Sequence, residues 1–321
     1  MEYFDLEDPF TTLKQHQFDT ISTIFSSESD HMPSLNYLQC LTTSDFHVSF
    51  RQEAMSLVFR AQYCCNLDPY TPYLAVTYMN RFISKQEIPQ GNPWVLRLLV
   101  IACISLAAKM KDMHFCYSNF QREEGFIFDA SAIQRMELLV LDALNWRMRT
   151  ITPFSFICFF ISLFELKDPP LIQALKDRAT HIIFQAGIET NLLEFKPSTI
   201  AASALLMASH ELLPLQFPSF KASILCCEYV NDEKLLICFN AVMEMVINKM
   251  ATISTSSTVT PISVLDCHCN KSEAEMSEKK GIKRHKLIGF CSESKRKVHE
   301  PQNMGFKMLL VCVNVLLFSS R

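Results

Sequence analysis

The chain has 321 residues, 49% hydrophobic and 20% charged, enough for one large or two ordinary domains around a substantial core. Its 6 glycines are too few for serial tight hairpins, and none fits G-x-G-x-x-G or P-loop spacing, so nucleotide binding by those routes is unsupported. The net charge of −3 hides an asymmetry: residues 1–270 carry 19 basic and 28 acidic side chains, whereas 271–298 carry nine basic and four acidic, and an acidic body is a poor partner for nucleic acid.

Residues 1–44 are polar and Ser/Thr-rich with few periodic apolar positions, and read as a flexible leader. From Phe46 onward helical periodicity dominates. Residues 46–64 suit an amphipathic helix, and Asp68-Pro69 starts a second that runs to about Ser84. Asn92-Pro93 reads as a cap and first-turn proline opening an almost wholly apolar helix that ends in "LAAKMKD" (106–112). A short helix is predicted over 117–124, and Asp129-Ala130-Ser131 leads into another over 132–145.

A second set begins at Thr152-Pro153 with "FSFICFFISLF", followed by helices near 169–190, 197–212, 217–228 and 231–249. No strand signal of useful length intervenes, so the fold class is all-α, in two tandem five-helix groups. Pro93 precedes "IACISLAA" (101–108) and Pro197 precedes "IAASALLM" (200–207). This short similarity is consistent with a duplicated unit whose third helix is buried, small side chains letting its neighbours approach. The run 94–108 is too short for a membrane span and reads as bundle core.

The 13 cysteines include Cys103, Cys158 and Cys238 in apolar helical runs, which points to reduced thiols in a cytosolic or nuclear protein. Cys64-Cys65 and Cys226-Cys227 are not metal spacings. Cys267-His268-Cys269 with His285 and Cys291 fits no standard finger, so no metal site is expected. His181 and His210 lie alone in apolar helices, and no Ser-His-Asp or paired-carboxylate arrangement stands out; no catalytic residue and no cofactor is expected.

Lys109, in the last apolar turn of the third helix, has two readings. It meets the dipole and free carbonyls at its own helix end, or it reaches backbone carbonyls of a partner. The matching position in the second group is Ala208, so the fold does not require a cation there.

The motifs "FRQEA" (50–54), "LAVTYMNRFIS" (74–84), "LAAKMKD" (106–112), "RMELLVLDALNW" (135–146) and "TPFSFICFF" (152–160), in this order, resemble those of the cyclins, specifically the plant D-type cyclins, over about 46–250. The resemblance implies two cyclin boxes, 45–149 and 150–250, after a leader over 1–44. It implies a regulatory subunit, not an enzyme, that binds a cyclin-dependent protein kinase and presses its mobile helix inward, promoting G1/S progression or cell division. The family's lysine and glutamate that contact the kinase backbone map to Lys109 and Glu137. The first only donates hydrogen bonds and the second, ionised, only accepts. For Glu137 the bland reading is a solvated helix face, although no cation sits at i,i+4. Leu96, Leu99 and Phe82 are expected either to add apolar contact to the kinase or to be plain core.

Three departures from the family pattern carry expectations. Arg51 of the first helix usually faces an aspartate but here faces Asn80, which cannot neutralise it; the first box is expected to be weaker and more dependent on its kinase. The substrate-docking patch maps to Phe50, Ala54 and Leu57, with Leu57 in place of a tryptophan, so weak recruitment of substrate or inhibitor peptides is expected. "LQCLT" (38–42) offers Leu38 and Cys40 of the L-x-C-x-E motif but Thr42 in place of its acid. No tight binding of retinoblastoma-type pocket proteins is expected by this route, as in the short sixth D-type subgroup.

Residues 251–321 read as a mostly disordered basic tail with Thr260-Pro261 as a weak phosphorylation site. "KKGIKRHK" (279–286) and "KRK" (295–297) read either as nuclear import signals or as solvated charge, giving a nuclear location with the cytoplasm as an additional compartment. "MLLVCVNVLLF" (308–318) is too short to span a bilayer unaided, and no membrane or nucleic-acid partner is expected. The competing functional classes are a cyclin-fold scaffold for peptides or nucleic acid that activates no kinase, which the acidic body disfavours, and a helical enzyme, for which no catalytic constellation stands out.

Overall fold

The computed structural model describes residues 17–89, 92–113, 115–125 and 127–256, and among them there is no strand. Helix α1 (Gln17–Ser27), a 3-10 turn (Glu28–His31) and α2 (Leu35–Thr43) precede two five-helix groups. The first comprises α3 (Asp45–Cys64), α4 (Tyr70–Ile83), α5 (Pro93–Met110), α6 (Tyr117–Glu123) and α7 (Ala130–Ala143). The second comprises α8 (Phe154–Ser162), α9 (Pro169–Ala186), α10 (Pro197–Leu212), α11 (Phe217–Leu225) and α12 (Asp232–Ser256).

Local chemistry sets the helix starts. Asp68 Oδ1 accepts from the backbone of Tyr70 (2.8 Å) and Thr71 (3.0 Å), satisfying free N–H groups of α4. The Asp129 carboxylate caps α7 by accepting from the Ala132 N–H. At α5 the proline carries the signal alone: Asn92 occupies the cap position, but its side chain makes no capping bond.

Each group is built around its third helix. Every residue from Leu98 to Ala108 of α5 is buried, packed by α3, α4 and α7. Every residue from Pro197 to Ser209 of α10 is likewise buried, packed by α8, α9 and α11. A helix enclosed on all sides needs no polar face, which is why neither reads as amphipathic. By length and composition α5 is apolar enough to cross a membrane, but it is the core helix of the first group. Ala208 is fully buried, so the second group has no counterpart of the Lys109 ammonium.

The leader departs from expectation. Residues 17–43 are helical over most of their length and packed, with Ile21, Phe25, Tyr37 and Leu41 buried. Phe25 stacks on Tyr229 at 4.5 Å between ring centroids and tilts against Phe156 at 4.7 Å, both in the second group. A few large anchors, rather than a periodic stripe, order this segment. The expectations for Thr260-Pro261, the cysteine and histidine residues at 267–291, the basic clusters and the apolar end lie outside the described residues.

Candidate functional site

Lys109 emerges from the last turn of α5 where α7 crosses it. Its side chain is 61% exposed, and Nζ sits 2.7 and 2.6 Å from the two carboxylate oxygens of Glu137, whose own side chain is 9% exposed. The lysine thus pairs across helices. Both groups line an open cleft of about 410 Å³ with Ser105, Met113, Phe115, Tyr117, Ile133 and Gln134. The ammonium keeps capacity to donate, and the carboxylate has lone pairs to spare. The two expected residues are therefore together, on one accessible face.

Of the three apolar candidates, two take the core reading. Leu96 and Leu99 are buried within α5, and Phe82 is half-buried against the core, so the two leucines are core and not contact residues. An all-apolar helix gives no stripe from which to tell inside from outside. On α7 the stripe Ile133, Met136, Val140 and Leu144 is buried. Off that stripe, Leu138 is 49% exposed, Leu141 is half-buried, and Trp146, just past the helix, is 65% exposed. Gln134, Glu137, Leu138 and Leu141 share one face by their spacing. Asn145 (φ 52°) and Trp146 (φ 59°) both take left-handed backbone, which ends the helix and leaves the indole outside. The signal for this face was the pair of leucines out of step with the buried period.

Phe50, Ala54 and Leu57 do not form an open groove: all three are buried. Phe46 covers part of α3, its ring 5.8 Å from that of Phe50, and α2 and α5 pack on the same helix. Glu53, exposed on α3, lies 3.7 Å from Arg97 of α5.

Arg51 and Asn80 do meet. Nη1 of Arg51 donates to Asn80 Oδ1 at 2.7 Å, and Tyr37 OH reaches the same oxygen at 3.5 Å. Nη2 donates to the carbonyls of Gly187 (2.8 Å) and Ile188 (3.3 Å), at the C-terminus of α9. Burial lowers the Arg51 pKa, while Tyr37 acts in the opposite sense. The charge that Asn80 leaves uncompensated is held by helix-end carbonyls of the second group. Gly187 keeps this approach open, since a Cβ there would lie 2.6 Å from the Tyr73 ring.

Sequence reasoning missed a third junction. Glu28 of the leader is 1% exposed and accepts from the Ser198 N–H (2.8 Å) and hydroxyl (2.9 Å), with Lys196 Nζ at 3.5 Å. It thereby caps α10 from another part of the chain. Burial raises its pKa, against the lowering effects of Ser198 and Lys196. Of the two lone histidines, His181 pairs with Gln185 at 2.9 Å and His210 lies edge-on to Phe217 at 5.0 Å. Among the described residues no group of three His, Cys, Asp or Glu could hold a metal. Burial pushes the Cys238 thiol up to about 12 and that of Cys103 higher still.

Residues 19–149 match the family described as "Cyclin, N-terminal domain", and residues 151–260 match "Cyclin, C-terminal domain". The chain belongs to the cyclin family. Within it the chain is a plant D-type, D6-like cyclin. It is 42% identical to a D6-1 cyclin of Arabidopsis thaliana, over 85% of this chain and 93% of that protein. It is 35% identical to cyclin-D6-1 of Oryza sativa subsp. japonica, over 83% of this chain and 82% of that one. A viral cyclin of herpesvirus saimiri shares the fold at 18% identity and a TM-score of 0.52, over 64% of this chain and 88% of that structure. Cyclins are a regulatory, non-enzymatic family, and the two helical groups are its two cyclin boxes.

Proposed function

We propose that this cyclin binds and activates a cyclin-dependent protein kinase, promoting G1/S progression or cell division, and itself catalyses no reaction. The observation that carries the reading is the Lys109–Glu137 pair at the mouth of an open cleft between α5 and α7. A donor-only group and an acceptor-only group side by side can grip the carbonyls and N–H groups of a partner helix end. Leu138, Leu141 and Trp146 would add apolar contact beside them. The test is co-purification with cyclin-dependent kinases followed by phosphorylation of a histone-type or pocket-protein substrate. Lys109→Ala and Glu137→Ala should each reduce both binding and activation. Wild-type activity in both variants would remove the reading.

With Phe50, Ala54 and Leu57 enclosed, substrates are recruited weakly or elsewhere on this cyclin. Leu38–Thr42 lies within α2, with Leu38 and Cys40 half-buried, which supports the absence of tight pocket-protein binding by this segment. The basic clusters at 279–286 and 295–297 direct the protein to the nucleus in this reading; a fluorescent fusion with both clusters neutralised should shift to the cytoplasm.

A further inference from the structure

The end of α4 and the connection after α7 lie side by side, and both carry cations. Arg81, in the last turn of α4, is 4% exposed; its Nη1 donates to the Arg147 carbonyl at 3.0 Å and to Thr150 Oγ1 at 2.8 Å. Lys85, two residues past α4, is exposed and donates through Nζ to the Ala143 carbonyl at 3.0 Å. Arg147, whose carbonyl holds Arg81, is itself exposed. Backbone oxygens therefore hold two cations next to a third, and none of the three is paired with a carboxylate among the described residues.

The three feel one another. Burial, then Arg81 and Arg147, lower the Lys85 pKa; burial first and then Arg147 lower that of Arg81, with Tyr78 acting the other way. His31, alongside, is held down to about 4 by burial and then by Arg81 and Arg147, with Asp30 acting the other way. Its Nδ1 is buried without a hydrogen-bond partner among the described residues. On a body whose residues 1–270 carry 28 acidic and 19 basic groups, this is a local reversal of sign. An anion bound here would relieve the mutual repulsion.

We propose that the exposed Lys85 and Arg147, backed by the buried charge of Arg81, form a docking point for a phosphorylated side chain of a partner protein. A phosphoryl group carries roughly −1.5 to −2 charge and three acceptor oxygens, which suits two exposed cations backed by a buried third better than one carboxylate does. A lipid surface or a nucleic acid would need a broader basic face than this acidic body offers. The choice of a protein as the source rests on the reading of α7 as a docking face, because the patch continues from Trp146 at the end of that face.

The test uses the full chain and a fluorescein-labelled ten-residue peptide with one central phosphoserine, beside its serine and glutamate counterparts, read by anisotropy. The phosphopeptide should bind roughly tenfold or more tighter than either counterpart, an effect that weakens with salt. The double variant Lys85→Gln/Arg147→Gln, both exposed side chains, should lose the preference, whereas Lys109→Ala should keep it. Equal binding of the three peptides, or a preference surviving in the double variant, overturns the proposal. A phosphopeptide preference in a wild-type chain that co-purifies with no cyclin-dependent kinase would sink the kinase reading alone.

Discussion

Glu28 and Ser198 are 170 residues apart in sequence and joined by two hydrogen bonds, one to the backbone N–H at 2.8 Å and one to the hydroxyl at 2.9 Å. A buried carboxylate from the leader thus caps the central helix of the second cyclin box. Glu28→Ala leaves both donors orphaned and should cost about 1–3 kcal/mol in chemical denaturation. Glu28→Gln keeps an acceptor without a buried charge and should cost much less. Equal losses in the two variants would contradict the capping account.

The same burial gives a pH dependence. The Glu28 pKa is raised in the folded state, so its contribution is present below the unfolded value of 4.5 and is lost as pH rises through the folded value. His31 acts in the opposite direction. Its pKa falls from 6.5 to about 4 on folding, so its contribution is present above 6.5 and is lost as pH falls through about 4. Each is read against its own variant. In melting scans His31→Gln should flatten the acid limb between those values, and an unchanged limb would assign it to other groups.

Asn80 accepts from Arg51 at 2.7 Å but leaves its charge to the carbonyls of Gly187 and Ile188. Asn80→Asp should raise the melting temperature of the free protein, by about 2–4 °C for each kcal/mol gained. A drop would show that the helix-end carbonyls already satisfy the guanidinium.

Gly187 has ordinary helical φ, so its role is spatial. Gly187→Ala would push a methyl into the Tyr73 ring at 2.6 Å and should destabilise by about 1–3 kcal/mol. Unchanged stability would mean that the ring moves aside freely.

The ten box helices were legible because prolines and caps mark their starts. Pro93, Asp68 and Pro197 each stand at or just before the first turn of a long buried or half-buried helix. The leader was not legible, because its order comes from Phe25 and Glu28 meeting residues of the second box far along the chain. Leu96 and Leu99 were indistinguishable from surface residues by pattern, since α5 is apolar on every side. Lys109 announced itself as a charge where burial disfavours charge, but only the resemblance to cyclins linked it to Glu137. Leu138 and Leu141, out of phase with the buried face of α7, were passed over in the sequence, and Trp146 was exposed by a backbone turn that no spacing rule encodes.

The most direct test separates an internal ion pair from a grip on a partner. Affinity for a cyclin-dependent kinase should be measured by calorimetry for the wild type, Lys109→Ala, Glu137→Ala and the exchanged double variant Lys109→Glu/Glu137→Lys, alongside their melting temperatures. Each single change should weaken binding by roughly 10- to 150-fold, the loss of a charge-assisted bond of about 1.5–3 kcal/mol. The exchanged variant should recover folding stability but not affinity, because donor and acceptor then face the wrong groups. Recovery of affinity in that variant, or wild-type affinity in both alanine variants, would contradict the account.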